Sequence, residues 1–523
     1  MLTRRLFAAL ALAAAPLAAQ ERATQPPTLV VMFTVDQLRP DYFTRWERQL
    51  TGGLGRLLRG GAVFLDGYQD HAITETAPGH STTLAGRFPR STGIVANSAG
   101  VEDPQAPLIG ARGSPASPFR FRGTTLIDWM RYANPASRAL SVSRKDRGAI
   151  LPLGRAKQQA FWLASNGMFT TSRYYADTLP TWVTAFNARQ LPQQWAGKAW
   201  TLLLDSTQYP EPDSVPTESG GRGFTFPHAF PSNPAQAASY IASTPMSDEL
   251  TLAFALQGVQ ELDLGAGPQP DLLAISLSST DAVGHRFGPD SRELHDQVLR
   301  LDRYLAVFFD SLYKLRDSSR VVLALTADHG VSPIPGTRSH DPNQGAGFVR
   351  LGPPMQPFLA RLRAAGIDST AYTLDGEMLF LDSAAFARAG LDVDSISRVF
   401  AAEIAKVPGV LRADVVSTLA TRDTTTDYVA RRWLHMLPPD LPVRVVITLR
   451  PYWYWAGVNY ATHGTPHDTD ARVPVIFAGA GIRPGRYRER ALVVDIAPTL
   501  AAVLGVRPLE RLDGRVLRTA LRR

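Results

Sequence analysis

Four short runs of the chain, Leu29–Val35, 272–277, Val321–Thr326 and 473–478, are apolar at almost every position and rich in branched residues. A run without polar alternation suits a strand buried on both faces, as in a parallel sheet covered by helices. Between these runs the period lengthens. Over 290–315, Leu294, Val298, Leu301, Leu305, Phe308 and Leu312 recur at spacings of three and four, and Asp290 or Ser291 stands ready to cap the helix they imply. The expectation is an α/β fold: a mostly parallel central sheet flanked by helices, with right-handed crossovers.

Two stretches depart from this pattern. Residues 155–240 are aromatic and then rich in proline and glycine, and read as an excursion over the sheet's edge. Residues 350–460 carry a small α/β pattern of their own and end in Pro451-Tyr452-Trp453-Tyr454-Trp455. Both are expected to be insertions flanking a site within one catalytic domain over 20–523, although such an aromatic run also suits plain core. The first nineteen residues differ again, with Arg4 and Arg5 ahead of an apolar run from Leu6 and a small-residue stop near Ala18-Ala19. This is the pattern of a signal peptide over 1–19, and Thr3-Arg4-Arg5-Leu6-Phe7 also resembles a twin-arginine export signal. An uncleaved anchor is the alternative. No later window offers 18 consecutive apolar residues. The expectation is therefore export to the periplasm or beyond by the Sec or twin-arginine route, with no stable membrane association once the signal is removed.

Composition narrows the chemistry. The 523 residues include no cysteine, which excludes disulfides, thiolate zinc sites and cysteine nucleophiles, so a metal must be held by histidine and carboxylate. The net charge of +8 falls to +6 without Arg4 and Arg5, and the basic residues are scattered, so nucleic acid is not an expected partner.

Acidic and histidine residues follow the apolar runs directly. Asp36 closes the first, Asp281 and His285 follow the second four residues apart, and Asp328-His329 follow the third. His463 precedes the fourth. Each alone suits a turn or cap, but three Asp and three His at strand ends form a ligand set suited to two zinc ions. In Thr74-Glu75-Thr76-Ala77-Pro78-Gly79-His80, Pro78 fits a first helical turn and places the Thr76 hydroxyl just before a helix N-terminus, where it either caps the helix or serves as a nucleophile. Lys145 and Arg147, two apart, would project the same way from an extended segment and clamp one phosphoryl group.

In order and spacing these residues resemble the alkaline phosphatase superfamily, and within it the phosphate-irrepressible PafA-type enzymes, over roughly residues 28–517. The resemblance implies an alkaline-phosphatase-like fold and a secreted phosphomonoesterase with two Zn2+. It implies that one zinc is held by Asp281, His285 and His463 and the other by Asp36, Asp328 and His329, with Thr76 as nucleophile and further ligand. Asn97, Lys145 and Arg147 correspond to the contacts of the phosphoryl oxygens, and small-molecule phosphate monoesters are the implied substrates. His467 has no counterpart among the ligands, and Arg155 stands where a histidine would be expected. A nucleotide pyrophosphatase-type phosphodiesterase shares the ligands and the threonine, but the Lys145–Arg147 clamp favours monoesters. The sulfatase branch is excluded, because Thr76-Ala77-Pro78-Gly79-His80 lacks the Cys/Ser-x-Pro-x-Arg run it needs. A non-catalytic metal-holding protein would be expected to lack Thr76 or a ligand, and none is missing.

Overall fold

The computed structural model describes residues 26–335 and 346–522, so the leader over 1–19 lies outside the described residues. Nine strands form the central sheet: β1 (Leu29–Val35), β2 (Ala62–Tyr68), β3 (Ala139–Ser143), β4 (Gln159–Leu163), β5 (Phe169–Thr170), β6 (Asp271–Leu277), β7 (Val321–Thr326), β8 (Val475–Gly479) and β9 (Gly485–Leu492). Their order across the sheet is β9-β2-β8-β7-β1-β6-β3-β4-β5. The apolar runs β1, β6 and β7 are buried at every position and sit side by side, with β1 parallel to both neighbours. Register aligns Val35 with Leu277 and Thr34 with Thr326, so the residues after all three strands emerge at one edge.

The fourth run does not continue the parallel pattern. β8 is antiparallel to both β7 and β2, with Val475 opposite Thr326. An apolar run reports burial on both faces and carries no information about direction. The reversal has a use: the residues entering β8 arrive at the same edge as those leaving β1, β6 and β7, and this is how His463 reaches the others.

The helix expected over 290–315 spans Arg292–Leu315, and Ser291 caps it by accepting the Leu294 amide. The stretch 155–240 is not wholly an excursion, because β4 and β5 extend the sheet and Phe161 and Phe169 are core. Its segment around 200–209 folds against the long helix, where buried Asp296 accepts hydrogen bonds from the Trp200 indole (2.7 Å), the Leu203 amide (2.7 Å) and the Tyr209 hydroxyl (2.8 Å). Within 350–460 a separate four-stranded antiparallel sheet encloses its own apolar cluster, which includes Phe358, Phe400 and Ile447. The aromatic run belongs to this packing: Trp453 and Trp455 lie on that cluster, and the Tyr454 hydroxyl donates to the Pro333 carbonyl at 2.7 Å. Gly409, at φ +89°, is required there because a Cβ would enter the Trp453 ring. Among the described residues no helix is long and apolar enough to cross a membrane.

Candidate metal and nucleophile site

Two groups of three candidate metal ligands form where the strand ends meet. Asp281, His285 and His463 each offer an atom within 4.8 Å of the others, and so do Asp36, Asp328 and His329. Asp281 and His285 share a face of the helix Ser279–Phe287, as an interval of four requires, with His285 Nε2 3.1 Å from Asp281 Oδ1. Within the first group His463 Nε2 lies 3.2 Å from His285 Nε2, and the two groups touch through the His463 and His329 rings, which stack at 3.5 Å.

The donor atoms suit metal ions. Nδ1 of His285, His329 and His463 each faces a backbone carbonyl, of Ala461, Gly330 and Thr74 respectively, at 2.6–2.9 Å. A carbonyl only accepts, so Nδ1 carries the proton and each Nε2 lone pair turns toward the carboxylates. Asp36 Oδ1 and His329 Nε2 are buried, 3.4 Å apart, and neither has a hydrogen-bond partner among the described residues. Two buried acceptors at that distance suit a shared cation. Charge points the same way. Burial, together with Asp281 and Asp328 nearby, pushes the Asp36 carboxyl up, whereas Asp281, although buried, is held well below the usual carboxylate range by Lys145 and His285. Burial and then His463 push His329 well down, which keeps it neutral, as a ligand must be.

Thr76 is the first residue of the helix Thr76–Thr83 and Glu75 occupies the N-cap position, so the capping role that the sequence left open for Thr76 does not apply. Its hydroxyl accepts from Lys145 Nζ at 3.2 Å, and the same ammonium is 2.5 Å from Asp36 Oδ2 and 2.7 Å from Asp281 Oδ2. Lys145 therefore links the threonine to a carboxylate of each group. Asn97 Oδ1 accepts the Ala77 amide at 2.9 Å, which fixes the flip of the side chain and leaves its NH2 to donate elsewhere. Arg147 differs from expectation. The chain turns into the helix Asp146–Ile150 straight after Lys145, so the two side chains do not run parallel, and among the described residues the Arg147 guanidinium bonds only Asp146, at 3.5 Å.

Three side chains in contact with the site were not singled out by the sequence. Gln37, at φ +67°, donates its backbone amide to Asp328 and its side-chain amide to Asp281, both at 3.1 Å. Buried His80 bonds the Thr76 carbonyl and lies 3.2 Å from Asp328 Oδ2. Arg144 Nη2 is 3.9 Å from Asp281 Oδ2. His80 carried a signal, four residues after Thr76 on one helix face. Gln37 and Arg144 carried none beyond adjacency to Asp36 and Lys145.

A family model described as type I phosphodiesterase / nucleotide pyrophosphatase matches residues 30–414. Alkaline phosphatase PhoV of Synechococcus elongatus is 32% identical over 95% of this chain and 93% of its own length. This chain belongs to the alkaline phosphatase superfamily. It is an enzyme of the PafA type: alkaline phosphatase PhoK of a Sphingomonas species is 33% identical over 95% of this chain and 92% of its own. The crystal structure of wild-type alkaline phosphatase PafA superposes with a TM-score of 0.87 at 28% identity, covering 96% of this chain and 100% of that one. As an alkaline phosphatase it is a hydrolase, and its two ligand groups are its candidate metal centre.

Proposed function

We propose that this alkaline phosphatase hydrolyses small phosphate monoesters with two zinc ions, one in each ligand group, by way of a covalent phosphothreonine at Thr76. One observation carries the reading: the Thr76 hydroxyl is buried and joined through Lys145 to a carboxylate of each group. When bound, the ions would neutralise charge on the phosphoryl group and make oxygen nucleophiles available near neutral pH. Thr76 Oγ1, its proton released to water, attacks phosphorus while the bond from phosphorus to the ester oxygen breaks on the opposite side and the alcohol leaves, taking a proton from water; a second water then attacks the phosphothreonine, releasing phosphate and restoring the hydroxyl. The positive ammonium of Lys145, already donating to Thr76 Oγ1, favours the anionic form of that oxygen. A monoester dianion spreads charge over three non-bridging oxygens, and the Asn97 NH2, Lys145 and Arg147 supply donors for them. Among the described residues the Arg147 guanidinium is held only by its long bond to Asp146, which leaves it available to an incoming phosphoryl group.

The catalytic unit in this reading is the single domain 20–523, exported after removal of 1–19. A diester carries one charge fewer and a second ester group, so a cationic clamp serves it less. The deciding measurement is kcat/KM for an aryl phosphate monoester and the matching diester, with zinc supplied. The monoester is expected to be the better substrate, and a better diester would overturn the assignment. Replacing Lys145 and Arg147 together by Ala is expected to lower kcat/KM on the monoester by about 10²-fold or more and on the diester much less. Thr76→Ala is expected to abolish covalent phosphate labelling of the protein together with turnover.

A further inference from the structure

The loop between His463 and β8 contains a buried carboxylate that contacts neither ligand group yet is bonded to the chain around both. Asp470 Oδ2 accepts the Thr465 amide at 3.1 Å and the Thr465 hydroxyl at 2.7 Å, two residues beyond His463. Its Oδ1 accepts the Ser332 hydroxyl at 2.8 Å, three residues beyond His329. Its backbone carbonyl accepts the Gly330 amide at 2.6 Å, and the carbonyl of Thr469 accepts Val331 at 3.1 Å. The two loops approach so closely that a Cβ at Gly330 would strike the Thr469 carbonyl. On the far side of His463, Thr74 completes the clamp: its carbonyl accepts from His463 Nδ1 and its hydroxyl donates to the Thr465 carbonyl, both at 2.8 Å.

We infer that Asp470 is a positioning residue, whose carboxylate fixes the spacing of the two ligand groups by tying the His463 loop to the Asp328–His329 loop. This rests on the reading that both groups hold an ion. The stacked His329 and His463 rings belong to different groups and lie 3.5 Å apart, so a shift of either loop moves a ligand of one group against a ligand of the other. Ligands that are held by a surrounding set of hydrogen bonds bind metal more tightly than ligands that are free to drift. With both loops tied, occupation of one group orders the other, and the two ions bind cooperatively.

The test is metal binding without substrate. Zinc stoichiometry is read by mass spectrometry and zinc affinity by competition with a chromophoric chelator, for the wild type, Asp470→Asn and the double variant Ser332→Ala/Thr465→Val. The double variant removes the hydroxyl donors and leaves Asp470 itself in place. Asp296→Asn, a buried carboxylate that organises the distant Trp200 segment, serves as control. Both test variants are expected to bind the second zinc at least tenfold more weakly, to lose cooperativity between the two ions, and to lose kcat with little change in KM. The control is expected to lose thermal stability and keep its zinc affinity. Wild-type affinity and cooperativity in both test variants, or an equal loss in the control, would overturn the inference. A loss of zinc affinity in an enzyme inactive on monoesters would leave it standing and remove the proposed function instead.

Discussion

Asp36 and Glu218 show two fates of a buried carboxylate. Asp36 sits beside His329, Lys145 and the carboxylates of Asp281 and Asp328, a set that suits a metal, whereas Glu218 has no such company: among the described residues its Oε2 finds no hydrogen-bond partner, and burial, followed by Glu293 and Asp213 nearby, pushes its carboxyl up from 4.5 to about 9. Between those two values the folded protein keeps a proton that the unfolded chain has released. Stability present below pH 4.5 is therefore lost as pH rises toward 9. Glu218→Gln removes the titration. It is expected to raise the melting temperature at pH 8, equivalent to about 1–3 kcal/mol, and to leave it unchanged near pH 4.5. Thermal unfolding of both proteins at the two pH values checks this, and an equal shift at both would assign the effect to packing. Residues of this kind were silent in the sequence, because nothing near Glu218 in the chain announces Glu293 or Asp213. Asp281 and His285 were legible, since an interval of four on a helix brings two side chains together without help from the rest of the molecule.

At the level of elements, the site depends on how closely the Thr76 helix meets the end of β7. Gly79 lies against the Asp328 backbone, and a Cβ there would collide with the Asp328 carbonyl. Gly79→Ala is expected to push the helix off, separate Thr76 from the Asp328–His329 loop, and lower stability by about 1–3 kcal/mol and kcat by at least tenfold. Retention of wild-type kcat at reduced stability would show that the helix can move without disturbing the hydroxyl. The sequence marked this helix through Pro78 and the strands through their apolar runs, because both signals are local. It could not mark the direction of β8, which is set by which neighbours flank it, or the turn into a helix that separates Arg147 from Lys145. β4 and β5 escaped notice because aromatic residues at a sheet edge look the same as aromatic residues in an insertion.

For the molecule as a whole, the two ions of the proposed function, if bound to the folded state and not to the unfolded chain, would add stability by mass action. At a thousandfold excess over Kd each contributes roughly 4 kcal/mol. Dialysis against a chelator is accordingly expected to lower the melting temperature by several degrees while keeping the far-ultraviolet circular dichroism of the native fold, with recovery on adding zinc. An unchanged melting temperature would argue against ions at these six candidate ligands. The central sheet keeps its own large apolar core, so the fold itself should outlast the ions.

The reversed strand also sets a timetable. In the finished sheet β8 lies between β2 and β7, so until its residues leave the ribosome β7 has an open edge and β2 has no route into the sheet. The candidate ligands Asp36, Asp328 and His329 all precede His463 in the chain, yet the sheet edge beside them closes only when β8, further along still, is in place. A nascent chain halted before that point would present a sticky sheet edge beside a half-built centre. Docking of β8, more than the formation of any earlier element, is thus the step that covers the open edge and joins β2 to the sheet.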